Sequence, residues 1–61
     1  MTFKLTSSKN DPVKTYTNEN GTYKIIKRAS TGYILKHISL FNMMGEVIGE
    51  YNTLEEAIKE A

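Results

Sequence analysis

Turn signals divide this chain into short segments whose connections are too short for parallel strands. Three turns are marked by Asn20-Gly21, by Ser30-Thr31-Gly32 and by residues 42–45. A parallel pair needs a crossover of about a dozen residues or more, whereas consecutive antiparallel strands need only a tight turn. The sequence therefore predicts an antiparallel β-meander.

The strongest local signal is Asn20-Gly21. A type I′ turn needs positive φ at both central residues, which Asn and Gly tolerate. We expect a hairpin of this type between strands at residues 13–17 and 22–29, which are rich in β-branched and aromatic residues. Further strands are expected at residues 33–41 and 46–51. Residues 2–6 are expected to add an edge strand, and residues 7–11 a loop.

The end of the chain has the pattern of an amphipathic helix. Thr53 can act as the N-cap, and Glu56 follows three residues later to complete a capping box. The apolar residues recur at i, i+3, i+4 and i+7, namely Leu54, Ala57, Ile58 and Ala61. A helix of about two turns is not stable alone, so its apolar stripe must dock on the sheet.

The predicted fold class is α+β, a meander of three to four strands with one C-terminal helix on one face. Residues 1–61 form one domain, with an edge segment and loop at 1–12, the meander at 13–51 and the helix at 53–61. The chain has no cysteine and one histidine, which leaves no disulfide and no thiolate metal site. We expect neither a cofactor nor a metal. No segment approaches the roughly 18 apolar residues of a membrane span, and the N-terminus lacks a signal-peptide pattern, so a cytosolic location is expected.

Alternation along the strands predicts which side chains face the helix. They are Tyr23, Ile25 and Ala29 of one strand and Val47, Gly49 and Tyr51 of another. The middle strand is apolar on both faces, with Ile34, Ile38 and Leu40 on one and Tyr33, Leu35 and Phe41 on the other. The uncovered face would then show an apolar patch with a charged rim, typical of an interface. Its predicted residues are Ile26 and Ile48, with Lys24 and Arg28 along one edge and Glu46 and Glu50 along the other.

Charge is unevenly distributed along the chain. Residues 1–41 carry seven Lys or Arg against two Asp or Glu, and residues 42–61 carry one against five. Such polarity favours docking on a charged protein partner. Our first hypothesis is a non-catalytic binding protein that uses the face opposite the helix to bind a protein, either a second copy in a homodimer or another target. A phage-type inhibitor, an accessory protein or an antitoxin-like protein fits this size, and the Lys, Asn, Ile, Thr and Tyr usage fits an A/T-rich genome. The alternative to an interface is that residues 1–12 fold over the face opposite the helix and cover it.

The alternative hypothesis is a nucleic-acid-binding module. Exposed tyrosines interleaved with cations resemble the stacking and phosphate contacts of single-strand binders. The cations in question are Lys24, Lys27, Arg28 and Lys36. We rank this hypothesis second because Glu46 and Glu50 are expected on the same face, where they would repel phosphates.

The remaining motifs favour structural interpretations. His37 has no cysteine partner and no spacing that signals a catalytic triad, so we predict no catalytic residue and no enzyme. Glu46 and Glu50 are about 13 Å apart along a strand, too far for glycoside chemistry. Met43-Met44 is either a soft contact patch or a gap-filling pair beside the core, and we favour the second.

Residues 22–61 resemble small β-β-β-α modules. The matching segments are Tyr23-x-Ile25, Gly32-Tyr33 and Tyr51-Asn52-Thr53-Leu54-Glu55-Glu56-Ala57. The last is similar to the Thr-Leu-Glu-Glu-Ala that opens the helix of the HicB-like antitoxin amino-terminal domain, although the Pro-Asp-Leu-Pro-Gly stretch of that family is absent. The pattern also resembles the arm-type DNA-binding domains of tyrosine recombinases and, through Gly45-Glu46-Val47-Ile48, the YegP-like domains. The resemblance implies a fold and assigns no functional residue.

Overall fold

The computed structural model describes residues 2–61, along which five strands precede one helix. The strands are β1 (Phe3–Leu5), β2 (Lys14–Asn18), β3 (Tyr23–Lys27), β4 (Tyr33–Ser39) and β5 (Asn42–Tyr51), and the helix is α1 (Leu54–Glu60). Each strand pairs antiparallel with the next, so the sheet order is β1-β2-β3-β4-β5. The predicted α+β meander with one C-terminal helix is confirmed. The edge strand expected at residues 2–6 forms as β1, which pairs with β2, so the sheet has five strands and the count of three to four was too low.

The core lies between the sheet and α1, which packs against β4 and β5. We call the sheet face that carries α1 the inner face and the opposite one the outer face. Ile25 and Leu35 of the inner face and Ala57 of α1 are fully buried in this core. Partly buried apolar side chains surround them: Phe3, Tyr16, Tyr23, Tyr33, Tyr51, Leu54, Ile58 and Ala61. The predicted inner positions Tyr23, Ile25 and Tyr51 are therefore correct.

β1 does not fold over the outer face. Phe3 lies opposite Asn18 and Leu5 opposite Tyr16, so both apolar side chains share the face of Tyr16, which packs against the core. Among residues 2–61, no helix or strand packs across the outer face. The rival proposal of a cover formed by residues 1–12 is wrong for the described part of that segment, and Met1 lies outside the described residues.

The β2–β3 hairpin forms as predicted, but through a different turn. Gly21 has φ of 70°, whereas no described residue other than glycine has positive φ, so Asn20 cannot satisfy a type I′ turn. The loop contains four residues, 19–22. Asn18, which is buried, organises it: its carbonyl oxygen accepts from the Gly21 amide at 3.1 Å and its side-chain Oδ1 accepts from the Tyr23 amide at 2.9 Å.

The N-cap of α1 is confirmed. Thr53 has extended backbone angles, and its Oγ1 accepts a hydrogen bond from the Glu56 amide at 3.1 Å. The second bond of the predicted capping box, from the Thr53 amide to the Glu56 side chain, is absent among the hydrogen bonds of the described residues. Ala57 is buried against the sheet, so the small side chain permits close approach of α1.

The β4–β5 hairpin departs most from prediction. Its turn is at residues 40–41 and not at 42–45, because Ser39 pairs with Asn42. Gly45, with φ of 90°, lies in an irregular part of β5, between Asn42, which pairs with Ser39, and Glu46, which pairs with His37. A second register shift occurs where Leu35 pairs with Gly49 but Lys36 pairs with Val47. Ile48 is the extra residue of this bulge.

These irregularities reverse part of the predicted alternation. Val47 lies opposite Lys36, on the outer face, and is 58% exposed, so its predicted inner position is wrong. Glu46 lies opposite His37, which in turn lies opposite Tyr23 on the inner face, so its predicted outer position is also wrong. Ala29 follows the end of β3 and is exposed, not packed under the helix.

Candidate protein-binding surface on the β4–β5 hairpin

The β4–β5 hairpin extends beyond the strand beside it. The β3–β4 ladder ends with the pair Tyr23 and His37 and a hydrogen bond from the Ile38 amide to the Thr22 carbonyl at 2.7 Å. From Leu40 onwards the hairpin therefore extends beyond the β3–β4 ladder. Its other side is also open, because β5 is the last strand of the sheet.

Apolar side chains are concentrated on this projecting hairpin. Phe41 is 100% exposed, Leu40 90%, Met44 87% and Met43 73%. With the exposed Val47 and Ile48 they form what we call the hairpin surface: Leu40, Phe41, Met43, Met44, Val47 and Ile48. Among the described large apolar residues that are exposed, Leu5 alone lies elsewhere. The favoured interpretation of Met43-Met44 as a gap-filling pair beside the core is wrong, since both side chains project into solvent.

Sequence reasoning missed Leu40 and Phe41 as surface residues. It placed them on opposite faces of a middle strand that is apolar on both faces, and not at a turn, because neither is a residue that favours a two-residue hairpin turn. The only warning was position: two large apolar residues stand between Ser39 and Asn42, which can border a turn.

The outer face contains only part of the predicted interface. Ile26 is half-buried and lies between Thr15 on β2 and Ile34 on β4, and Ile34 lies opposite Glu50. Lys24 shares this face. Arg28 follows the end of β3 and is exposed, while Glu46 is on the inner face and Ile48 is in the bulge. The predicted residues are thus divided between the outer face and the β5 edge.

The outer face also carries a row of lysines. Lys4 lies opposite Thr17, Thr17 opposite Lys24, and Lys24 opposite Lys36. Like charges directly opposite each other are destabilising, so the Lys24 and Lys36 pair costs the fold some stability. With Glu46 on the other face, Glu50 is the carboxylate that faces this row from β5. The outer face is more positive than the sequence predicted.

The other predicted nucleic-acid residues do not join that row. Lys27 lies opposite Tyr33, on the inner face, and its Nζ is 5.7 Å from the centroid of the Tyr33 ring. Its ammonium donates hydrogen bonds to the carbonyl oxygens of Arg28 and Thr31, so Lys27 closes the β3–β4 turn. The tyrosines that were expected to stack on bases also belong to the inner face. Tyr16, Tyr23, Tyr33 and Tyr51 all pack against the core.

His37 lies on the inner face between Tyr23 and Glu46. Its ring centroid is 4.9 Å from that of Tyr23, in a tilted arrangement. Within residues 2–61 there is no group of three His, Cys, Asp or Glu side chains that could hold a metal ion. The same part of the chain has no helix long and apolar enough to cross a membrane.

A shallow groove of about 310 Å³ lies at the opposite edge of the sheet, over β1 and β2. It is lined by residues of polar type, namely Thr2, Lys4, Thr6, Thr17, Asn18 and Glu19. The Thr6 and Thr17 hydroxyls are 3.1 Å apart, and the Thr2 amide donates to Glu19 at 2.9 Å. These bonds attach β1 to β2, so the groove is explained by strand pairing.

No family model matches the chain, and no curated protein or solved structure matches it significantly. The resemblance of residues 22–61 to β-β-β-α modules stays a prediction. A functional proposal therefore depends on the surface alone.

Proposed function

We propose that this chain is a small non-catalytic protein-binding module that contacts its partner through the hairpin surface. The observation that carries this proposal is the concentration of exposed apolar side chains in residues 40–48, at the projecting end of the sheet. Monomeric proteins rarely expose apolar patches larger than a few hundred Å², and aromatic and Met side chains are enriched in interface cores.

Burial of this surface would provide substantial binding energy. A large apolar side chain transferred from water to an interior gains about 1.5–3 kcal/mol. Leu40 and Phe41 gain little of this in the fold itself, because they are almost wholly exposed. The gain is therefore still available for a partner. Met43 and Met44 add flexible side chains that adapt to an irregular surface.

The proposal shifts the interface from the centre of the outer face to the β4–β5 hairpin. Ile48, Glu46 and Glu50 remain within it, whereas Ile26, Lys24 and Arg28 lie beside or beyond it. A two-fold homodimer through the outer faces loses its electrostatic rationale, because Lys4, Lys24 and Lys36 there face few carboxylates. An inhibitor, accessory or antitoxin-like role fits a protein that inserts an apolar hairpin into its target.

A site-specific cross-linker tests the proposal. Phe41 is replaced by p-benzoylphenylalanine, and Ser30, exposed in the β3–β4 turn at the other end of the sheet, is replaced by the same residue as the matched control. Under illumination in the cells that produce the protein, we expect a discrete covalent protein adduct at position 41 and none at position 30. The proposal is wrong if position 41 gives no adduct, or if the two positions give the same adducts.

The lysine row favours nucleic acid as a second candidate. Lys24 and Lys36 form a like-charge pair that an incoming phosphate would relieve, and Lys4 lies in the same row. It ranks below protein binding because the tyrosines needed for stacking lie on the inner face.

Fluorescence anisotropy with a labelled single-stranded 20-mer decides between these candidates. Non-specific binding in the range of about 10⁻⁴–10⁻⁶ M at physiological salt leaves protein binding first. Tighter binding that weakens steeply with salt, and that Lys24→Glu with Lys36→Glu abolishes, would favour nucleic acid. Lys9→Glu with Lys59→Glu, two exposed reversals of the same total charge outside the row, is the control.

A further inference from the structure

The two carboxylates of β5 lie on opposite faces of the sheet. Glu50 lies opposite Ile34 on the outer face, and Glu46 lies opposite His37 on the inner face. Four positions along an uninterrupted strand would return to the same face, and the extra residue Ile48 changes this. The open edge of the sheet therefore has a negative charge on each side.

Both carboxylates are available to a partner. Glu46 and Glu50 are exposed, and neither side chain makes a hydrogen bond or an ion pair within residues 2–61. β5 itself contains no Lys or Arg. The apolar side chains Val47 and Ile48 lie between the two carboxylates along the strand, and Met43 and Met44 lie just before them.

A partner that covers the hairpin surface must also meet these charges. A carboxylate drawn into an interface without a partner loses its hydration at a cost of several kcal/mol, so a complementary cation is needed beside it. Since the carboxylates lie on opposite faces, a flat partner surface reaches one of them and leaves the other in solvent. A concave partner reaches both.

We propose that the partner is a protein with a cleft that encloses the β5 edge, with an apolar floor for the hairpin surface and Lys or Arg on both walls. This inference rests on the function proposed above and specifies the chemistry of the partner. One wall pairs with Glu46 and the other with Glu50, while Phe41 and Leu40 enter the floor.

Two other occupants fit the charges poorly. A second copy joined through β5 would bring its own Glu46 and Glu50 to the same edge, where like charges repel. A membrane with anionic lipids would repel both carboxylates, although the apolar tip resembles an inserting loop. Each is an outcome of the test below.

The test uses charge reversal in the chain that carries the cross-linker at position 41. Glu46→Lys and Glu50→Lys are made separately, and each is compared with Glu60→Lys, which makes the same charge change on the exposed end of α1. Thermal unfolding verifies that each variant folds. We expect each β5 variant to lower the adduct yield about tenfold, and the Glu60 variant to leave it unchanged.

The outcomes separate this inference from the proposed function. An adduct that neither β5 variant weakens retains protein binding and overturns the cationic cleft. An adduct weakened by only one variant overturns the enclosing shape. A doubled mass in light scattering at micromolar concentration would identify a second copy, and co-flotation with phosphatidylserine vesicles would identify a membrane; either overturns the inference. Complete absence of an adduct at position 41 overturns both proposals.

Discussion

A Cβ atom on Gly45 would lie 2.7 Å from the Cδ1 atom of Ile38, across the β4–β5 ladder. Gly45 also has φ of 90°, a left-handed conformation that L side chains rarely adopt. The irregular part of β5 that leads into the hairpin surface therefore depends on this glycine for two separate reasons.

Replacement of Gly45 should be more costly than replacement of Gly21. Gly21 has φ of 70°, but a Cβ there would meet nothing within 4 Å. We expect Gly21→Ala to lower the free energy of unfolding by about 1 kcal/mol from backbone strain alone, and Gly45→Ala by about 1–2 kcal/mol, because Ile38 Cδ1 can rotate aside whereas the Lys36 Cβ atom, 3.2 Å away, can move less. Urea denaturation gives both values. Equal losses would mean that the contacts of the added Cβ with β4 do not matter.

The fold was predictable from sequence because its main signals are local. Gly21 and Gly32 mark turns, and Thr53 with Leu54 and Ile58 marks a capped amphipathic helix. Each such signal depends on the backbone preferences of a few neighbouring residues. Short connections then left few arrangements other than a meander.

The candidate site was less predictable because a bulge changes the face of every residue beyond it. Alternation counted back from Tyr51 correctly places Gly49 and fails at Val47, where Ile48 is inserted. Gly45 was interpreted as a turn residue, whereas its positive φ serves the irregularity in β5. The choice between a turn and a bulge depends on pairing with β4, which no local pattern reveals.

Asn18 should be the most sensitive polar residue of the β2–β3 hairpin. It is 5% exposed, and its Nδ2 donates to the Thr22 hydroxyl at 2.9 Å while its Oδ1 accepts from the Tyr23 amide. Asn18→Ala should destabilise the fold by about 1–3 kcal/mol, because the Tyr23 amide loses its acceptor. Asn20→Ala is the control: Asn20 is exposed in the same loop, so its loss should cost under about 0.5 kcal/mol. Similar urea midpoints for the two variants would contradict this assignment.

Thr53→Ala should destabilise α1 by roughly 1 kcal/mol, because the Glu56 amide loses the acceptor that it contacts at 3.1 Å. Thr53→Ser retains the hydroxyl and should restore most of the loss. Urea midpoints measure both variants, and an unchanged midpoint for Thr53→Ala would show that the cap is dispensable. The Glu56 side chain makes no reciprocal bond among the described residues, so Glu56→Ala should cost less.

Acid should loosen the β1 edge before the rest of the sheet. The pKa of Glu19 is lowered by a hydrogen bond from its own backbone amide and by a second from the Thr2 amide. A carboxyl whose pKa is lower in the folded state stabilises the fold above its unfolded pKa, and this contribution is lost as pH falls through the folded pKa. The loss therefore begins below about pH 4.3, the ordinary value for Glu. Protection factors of the β1 amides, which correct for the pH dependence of intrinsic exchange, should fall in this range, and Glu19→Gln should abolish that fall. A fall in protection that is insensitive to the substitution would show that Glu19 does not hold the edge.

The hairpin surface should be dispensable for folding and necessary for binding. Leu40 and Phe41 are almost wholly exposed, so Leu40→Ser and Phe41→Ser should change the free energy of unfolding by less than about 0.5 kcal/mol. Leu35 is fully buried, and Leu35→Ala should cost about 2–5 kcal/mol.

For the binding readout the photo-cross-linker is moved to Met43, and Leu40→Ser with Phe41→Ser should then strongly reduce the adduct. Serine variants that unfold the protein would mean that the tip packs in the fold, whereas variants that fold and give an unchanged adduct would remove the hairpin tip from the interface.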